Sequence, residues 1–213
     1  MTLAKHRYIV IEGPIGAGKT TLARRLAARL DAELILERPD ANPFLVRFYE
    51  DRARYALPTQ LSFLFQRIGQ LRDLAQLPLF GAKTVSDFLF EKDPLFARLT
   101  LAGDELALYQ TIFDVLKPQV PRPDLVIYLH ARVDTLVQRI RRRGIDYEKA
   151  IETDYLTALA EAYSQFFHVY DASPLLIVNC ERLNFADDDE HLELLVARIA
   201  EMREGREYLN LGA

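Results

Sequence analysis

One cysteine, Cys180, occurs in the 213 residues. An intrachain disulfide therefore cannot form, and metal clusters built on several thiolates are excluded. Beside a predicted apolar strand, Cys180 reads as a small buried residue rather than a nucleophile. No apolar run approaches the roughly 20 residues needed to cross a bilayer. Met1 to Arg7 is short and polar and lacks the apolar segment of a secretory signal, so a cytoplasmic location is expected. Neither sign of charge dominates: 27 basic residues face 31 acidic ones, a formal net charge of −4. That balance gives no electrostatic case for a nucleic acid or an anionic membrane as partner. The four histidines, His6, His130, His168 and His191, are scattered without ligand spacing. Repeats, low-complexity tracts and Gly/Ser linkers are missing too, so a single domain over 1–213 is expected.

Half of the residues are hydrophobic, enough for one substantial core. Tyr8-Ile9-Val10-Ile11-Glu12 is a β-branched run ending at a glycine, and it predicts a buried strand. Further strands are predicted at Glu33-Leu34-Ile35-Leu36, Lys83-Thr84-Val85-Ser86, Leu125 to Leu129 and Leu175 to Asn179. Helical spacing of apolar residues runs through Thr20 to Leu30, Pro58 to Leu77, Asp104 to Leu116, Val133 to Arg143, Asp154 to Tyr170 and Glu190 to Met202. The acidic run Asp187-Asp188-Asp189-Glu190 opens the last of these, where carboxylates favour the helix dipole, so a solvated first turn is expected rather than a metal site. Nearly continuous apolar strands alternating with helices predict an α/β fold with a parallel sheet covered on both faces.

Gly13-Pro14-Ile15-Gly16-Ala17-Gly18-Lys19-Thr20 matches G-x-x-x-x-G-K-[ST] between the first strand and the first helix. Glycines let the chain wrap so that successive N–H groups point into one hollow at the helix N-terminus, which holds phosphate oxygens. Lys19 is expected to reach the terminal phosphates of ATP or a similar nucleoside triphosphate, and the Thr20 hydroxyl to ligate Mg²⁺. Thr21 belongs to the same expected nucleotide-binding set.

The acceptor of the phosphoryl group is not named by that motif. Glu37 follows the second strand, expected beside the first, so its carboxylate should face the crevice at the strands' carboxyl ends, where it can accept a hydroxyl proton. Gln60 and Arg67 are seven residues apart in a predicted helix and share one face. A glutamine amide can pair with a nucleobase edge.

In order and spacing, Asn42-Pro43-Phe44-Leu45-Val46-Arg47-Phe48-Tyr49-Glu50-Asp51 followed by Gln60 and Arg67 resembles the deoxyribonucleoside kinases, in particular the bacterial deoxyadenosine/deoxyguanosine kinase branch. The resemblance covers nearly the whole chain. It implies a P-loop NTPase fold with a five-stranded parallel core, transfer from ATP to the 5′-hydroxyl of a deoxyribonucleoside, a purine preference and a homodimer. It also implies Glu37 as general base, Tyr49 and Glu148 on the sugar 3′-hydroxyl, and Gln60 as base reader with Arg67 beside it.

The segment 139–150 fits a lid: Arg139, Arg141, Arg142 and Arg143 precede Gly144-Ile145-Asp146-Tyr147-Glu148. Of these, Arg143 and then Arg139 are the expected phosphate clamps. Two positions depart from the family pattern. Its acidic-Arg-Ser triplet after the third strand is here Ser86-Asp87-Phe88-Leu89-Phe90-Glu91-Lys92-Asp93, where Asp87 keeps the acidic role near Mg²⁺ and Lys92 is a candidate substitute for the arginine. Ile145 stands where the lid commonly has a further arginine. Two other readings compete: a nucleoside monophosphate kinase using Arg38, Arg47 and Arg67 as a second phosphate pocket, and a nucleotide-binding regulatory protein without turnover.

Overall fold

Apolar β-branched runs become the inner strands. In the computed structural model, which describes residues 6–75 and 83–210, β1 (Tyr8–Glu12) is buried along its whole length. A glycine-bearing turn leads into α1 (Lys19–Leu30), whose Leu22, Ala23, Leu26, Ala27 and Leu30 face the core as their spacing demands. Then come β2 (Glu33–Ile35), α2 (Leu45–Glu50), α3 (Arg52–Ala75), β3 (Thr84–Ser86), α4 (Asp93–Thr100) and α5 (Gly103–Leu116). The second half supplies β4 (Leu125–His130), α6 (Val133–Arg143), α7 (Thr153–Val169), β5 (Leu175–Asn179), α8 (Asp189–Glu201) and β6 (Arg206–Leu209).

All strand pairs are parallel, in the order β2-β3-β1-β4-β5-β6. The five predicted strands are present, and β6 adds a sixth at the edge beside β5. Its Arg-Glu-Tyr-Leu sequence is only partly buried, as an edge position allows, and so carries little apolar signal. A second difference concerns neighbours. β2 does not lie beside β1: β3 is inserted between them, with Tyr8 opposite Thr84 on one side and Glu33 opposite Thr84 on the other.

Helices pack against both faces. On one, Tyr128 of β4 stacks on Phe167 of α7 with ring centroids 4.2 Å apart. α1 and α8 are joined by ion pairs of Arg25 with Asp189 and Arg29 with Glu193. The Asp188 carboxylate caps α8 by accepting the N–H groups of Glu190 and His191 at 2.9 and 3.2 Å, which accounts for the acidic run. Cys180 is buried, and burial pushes its thiol up to about 12, away from nucleophile chemistry.

α3 begins at Arg52, six residues before the expected Pro58. Proline lacks an N–H and more often opens a helix than sits inside one. Here the Asp51 carboxylate caps the start instead, accepting the Arg54 N–H at 3.2 Å. The far end expected at Leu77 lies outside the described residues, as does most of the polar Met1 to Arg7 segment.

Because the strands are parallel, the segments leaving β1, β2 and β3 emerge at one edge of the sheet. These segments carry the glycine loop, Glu37 and Asp87.

Candidate active site

The glycine loop rises from β1 and closes on the N-terminus of α1. Two of its glycines are required by space: a Cβ on Gly13 would lie 2.3 Å from the Leu129 carbonyl oxygen, and one on Gly16 2.8 Å from that of Leu136. Gly16 also has φ +86°, which an L side chain rarely adopts. Lys19 folds over the loop, donating to the Gly13 and Pro14 carbonyls at 2.7 and 3.2 Å. Burial and then the neighbouring charge of Lys92 lower its pKa from the ordinary lysine value.

Asp87, directly after β3, joins two parts of the cleft. One oxygen accepts the Thr20 hydroxyl at 2.6 Å and the other the backbone N–H of Glu37 at 2.7 Å. Burial raises its carboxyl pKa, which those hydrogen bonds oppose. A hydroxyl and a carboxylate at the loop mouth are hard oxygen donors of the kind Mg²⁺ takes, with phosphate oxygens and waters completing its shell. Among the described residues no cluster of three or more His, Cys, Asp or Glu forms a self-sufficient cage.

Beside Asp87 lies a buried series of alternating charges. Arg67 donates from Nε to Glu37 Oε1 at 2.8 Å, bonds the same oxygen through a terminal nitrogen, and also pairs with buried Asp93. Lys92, 1% exposed, places Nζ 3.5 Å from Glu37 Oε1 and 3.3 Å from Glu12 Oε2. Burial alone would raise the Glu37 carboxyl, but the charges of Arg67 and Lys92 outweigh it and hold the group at about 2. Glu37 is therefore ionised at neutral pH.

The far end of the cleft is walled by Leu45, Phe48, Phe63 and Phe96. Gln60 projects into it, buried, donating to the Thr100 hydroxyl at 3.3 Å. Gln60 and Arg67 thus share one helix face, with Arg67 additionally held by two carboxylates. Tyr49 lines the same cleft and stacks on Tyr147, centroids 6.0 Å apart and planes 13° apart. Glu148, beside Tyr147, is buried and accepts from Arg143 Nε at 2.9 Å. Arg143 and Glu148, both in the segment expected as a lid, are thus paired with each other.

A second depression opens on the other side of the glycine loop. Gly16, Gly18, Thr21, Arg139, Arg142 and the segment Leu183 to Asp187 line it. Arg139 donates to the Cys180 carbonyl at 2.7 Å and to that of Ala17 at 3.4 Å, tying α6 to the loop. Its guanidinium therefore braces both walls of this depression.

Sequence reasoning missed Glu12, Asp93, Phe96 and the 183–187 segment. A charged residue closing an apolar strand was the one signal available for Glu12; the others gather only through tertiary packing. Of the three arginines offered for a second phosphate pocket, Arg67 lines the cleft but Arg38 and Arg47 do not, and Arg47 lies over the Tyr55 ring.

A family model described as deoxynucleoside kinase matches residues 9–203. Deoxyguanosine kinase of Bacillus subtilis is 34% identical over 200 residues, covering 92% of this chain and 97% of that protein. Deoxyadenosine kinase of Lactobacillus acidophilus is 32% identical over 194 residues, covering 84% and 88%. Among solved structures, deoxyadenosine kinase from M. mycoides with bound dCTP superposes with a TM-score of 0.79 at 25% identity, covering 92% of this chain and all of that one. The fold is that of the P-loop NTPases.

Proposed function

Because the chain belongs to the deoxynucleoside kinase family, we propose that Glu37 receives the proton of a purine deoxyribonucleoside's 5′-hydroxyl as that oxygen takes the γ-phosphoryl group of ATP. The chain is an ATP-dependent deoxynucleoside kinase. One observation carries the assignment of roles: an ionised carboxylate, Glu37, opens onto the same cleft as Lys19 and Thr20, with Gln60 and Tyr49 beyond it.

The nucleoside base lies between the aromatic walls, with the Gln60 amide against its edge and Arg67 beside it. The sugar rests on Tyr49, and Glu148 takes its 3′-hydroxyl. That places the 5′-hydroxyl between Glu37 and the glycine loop. Loop N–H groups and Lys19 hold the β- and γ-phosphates, and Arg143, released from Glu148, neutralises charge on the transferring group. Thr20 and Asp87 would hold Mg²⁺, which when bound balances the polyphosphate charge. Closure of the lid, about 139–150, excludes water as a competing acceptor.

Phosphoryl transfer passes through a loose transition state, so the nucleophile needs orientation more than early deprotonation. A carboxylate held near 2 is a weak base but stays ionised and can accept a hydrogen bond from the alcohol, which suits that demand. The purine reading is supported by relatives named for deoxyguanosine and deoxyadenosine.

A single cytoplasmic domain over 1–213 and a homodimer complete the reading. Phe65 on α3 and Leu108 and Val115 on α5 are each at least half exposed. A hydrogen bond between Arg72 of α3 and Gln119, in the turn after α5, brings the ends of these two helices together, which supports reading the apolar residues as one two-helix surface.

The deciding assay measures ADP formation from ATP–Mg²⁺ with each of the four deoxyribonucleosides, their ribose counterparts and the corresponding monophosphates. The highest kcat/KM is expected for a purine deoxyribonucleoside. ADP formation with monophosphates alone would overturn the assignment of the 5′-hydroxyl as acceptor.

A further inference from the structure

Lysine is rarely buried completely, because removing an ammonium from water is costly unless it is paired. Lys92 is buried to 1% exposure at the end of the 3₁₀ turn Phe90–Lys92, and it lines the acceptor cleft. Its two carboxylate neighbours differ in how they are held.

Glu12 is saturated with donors. Fully buried, it accepts the N–H of Gly13 at 2.8 Å, the N–H of Leu89 at 2.7 Å and the Tyr163 hydroxyl at 3.0 Å. Three chain segments, the loop after β1, the 89–92 turn and α7, therefore meet on one carboxylate, with Lys92 Nζ 3.3 Å from it. Glu37 is held asymmetrically instead. Arg67 donates two hydrogen bonds to Oε1 and Lys92 Nζ stands 3.5 Å from the same oxygen as an ion pair, while among the described residues no hydrogen bond reaches Oε2. Two cations on one oxygen set the carboxylate's rotation and leave the other oxygen open.

We propose that Lys92 is a positioning residue for phosphoryl transfer: anchored on Glu12, it grips Glu37 Oε1 so that Oε2 is the oxygen that meets the acceptor hydroxyl. This rests on the assignment of Glu37 as proton acceptor and adds the element that orients it. The Glu12–Lys92–Glu37 series ties the first residue of the glycine loop to the acceptor carboxylate. Donor and acceptor ends of the reaction are thereby held in register, and misplacement of about 1 Å at such a centre can cost a hundredfold in rate.

A double-mutant cycle separates this role from a structural one. Lys92→Met, Glu37→Gln and the double variant are compared by kcat and by the KM for nucleoside. Lys92→Met is expected to lower kcat by on the order of tenfold or more in the parent and by less than about threefold in the Glu37→Gln background. Equal losses in both backgrounds would overturn the proposal and leave Lys92 as the counter-ion of Glu12. An unchanged kcat for Glu37→Gln by itself would instead overturn the proton-acceptor assignment, and this proposal with it. If Lys92→Met fails to fold because Glu12 is left unpaired, the same cycle is run with Lys92→Arg, which keeps a cation on Glu12 but changes the atoms presented to Glu37. The same two outcomes then decide.

Discussion

The Thr20 hydroxyl donates to the Asp87 carboxylate across 2.6 Å although 67 positions separate them in sequence. The other oxygen of Asp87 accepts the Glu37 N–H, so one side chain links the glycine-loop hydroxyl to the segment that carries Glu37. Asp87→Asn preserves the size and much of the hydrogen bonding while removing the charge. Turnover should fall by on the order of tenfold or more, and the Mg²⁺ concentration for half-maximal rate should rise. An unchanged Mg²⁺ titration would remove Asp87 from the metal site.

Glu37→Gln should keep nucleoside affinity within a few-fold and lower kcat by on the order of a hundredfold. Calorimetric binding and steady-state turnover, measured on one preparation, check the two halves together. An unchanged rate excludes the proton-acceptor role.

The same carboxylate gives a signed pH dependence. Its folded value of about 2 lies below the ordinary 4.5. A depressed carboxyl contributes stability that is fully present above about pH 4.5 and is lost as pH falls toward about 2. The stability difference between the parent and Glu37→Gln should therefore narrow between about pH 6 and about pH 3 in denaturant titrations. A constant difference would contradict the charge environment described for Glu37. Nor should Glu37 produce an acid limb in kcat/KM above about pH 4.

Gln60→Ala removes an amide from the cleft at the end proposed for the base and leaves Glu37, Lys19 and Thr20 untouched. Discrimination among bases should suffer more than the chemical step, so kcat/KM should fall unequally across the four deoxyribonucleosides. Equal losses for all four would argue against base reading.

Phe65→Asp places a charge in the middle of the exposed α3–α5 surface. Light scattering should show the parent at twice the chain mass and the variant at the chain mass. A parent that runs as a monomer would exclude the dimer proposal.

Where the physics is local, the sequence was readable. A phosphate loop works through consecutive N–H groups at the start of one helix, so its residues are contiguous and its spacing is diagnostic. β1, β4 and β5 are covered on both faces and carry unbroken apolar runs. The α6 and α8 boundaries likewise fall within about one residue of their apolar periodicity. β6 escaped because an edge strand needs only part of its surface apolar, and the start of α3 because a proline outweighed the cap at Asp51.

Tertiary structure alone decided which strands are neighbours and which charges meet. Backbone hydrogen-bonding groups are the same in every strand, so a buried run announces that it lies inside a sheet and not beside which partner; β3 could come between β1 and β2 without a mark in either. The pairing of Glu12 with Lys92 and of Arg67 with Glu37 is equally silent in one dimension, because Coulomb attraction acts across space between residues 80 and 30 positions apart. Composition and motif determined that this chain holds a polyphosphate. Packing determined which charges surround Glu37 and which of its oxygens they hold.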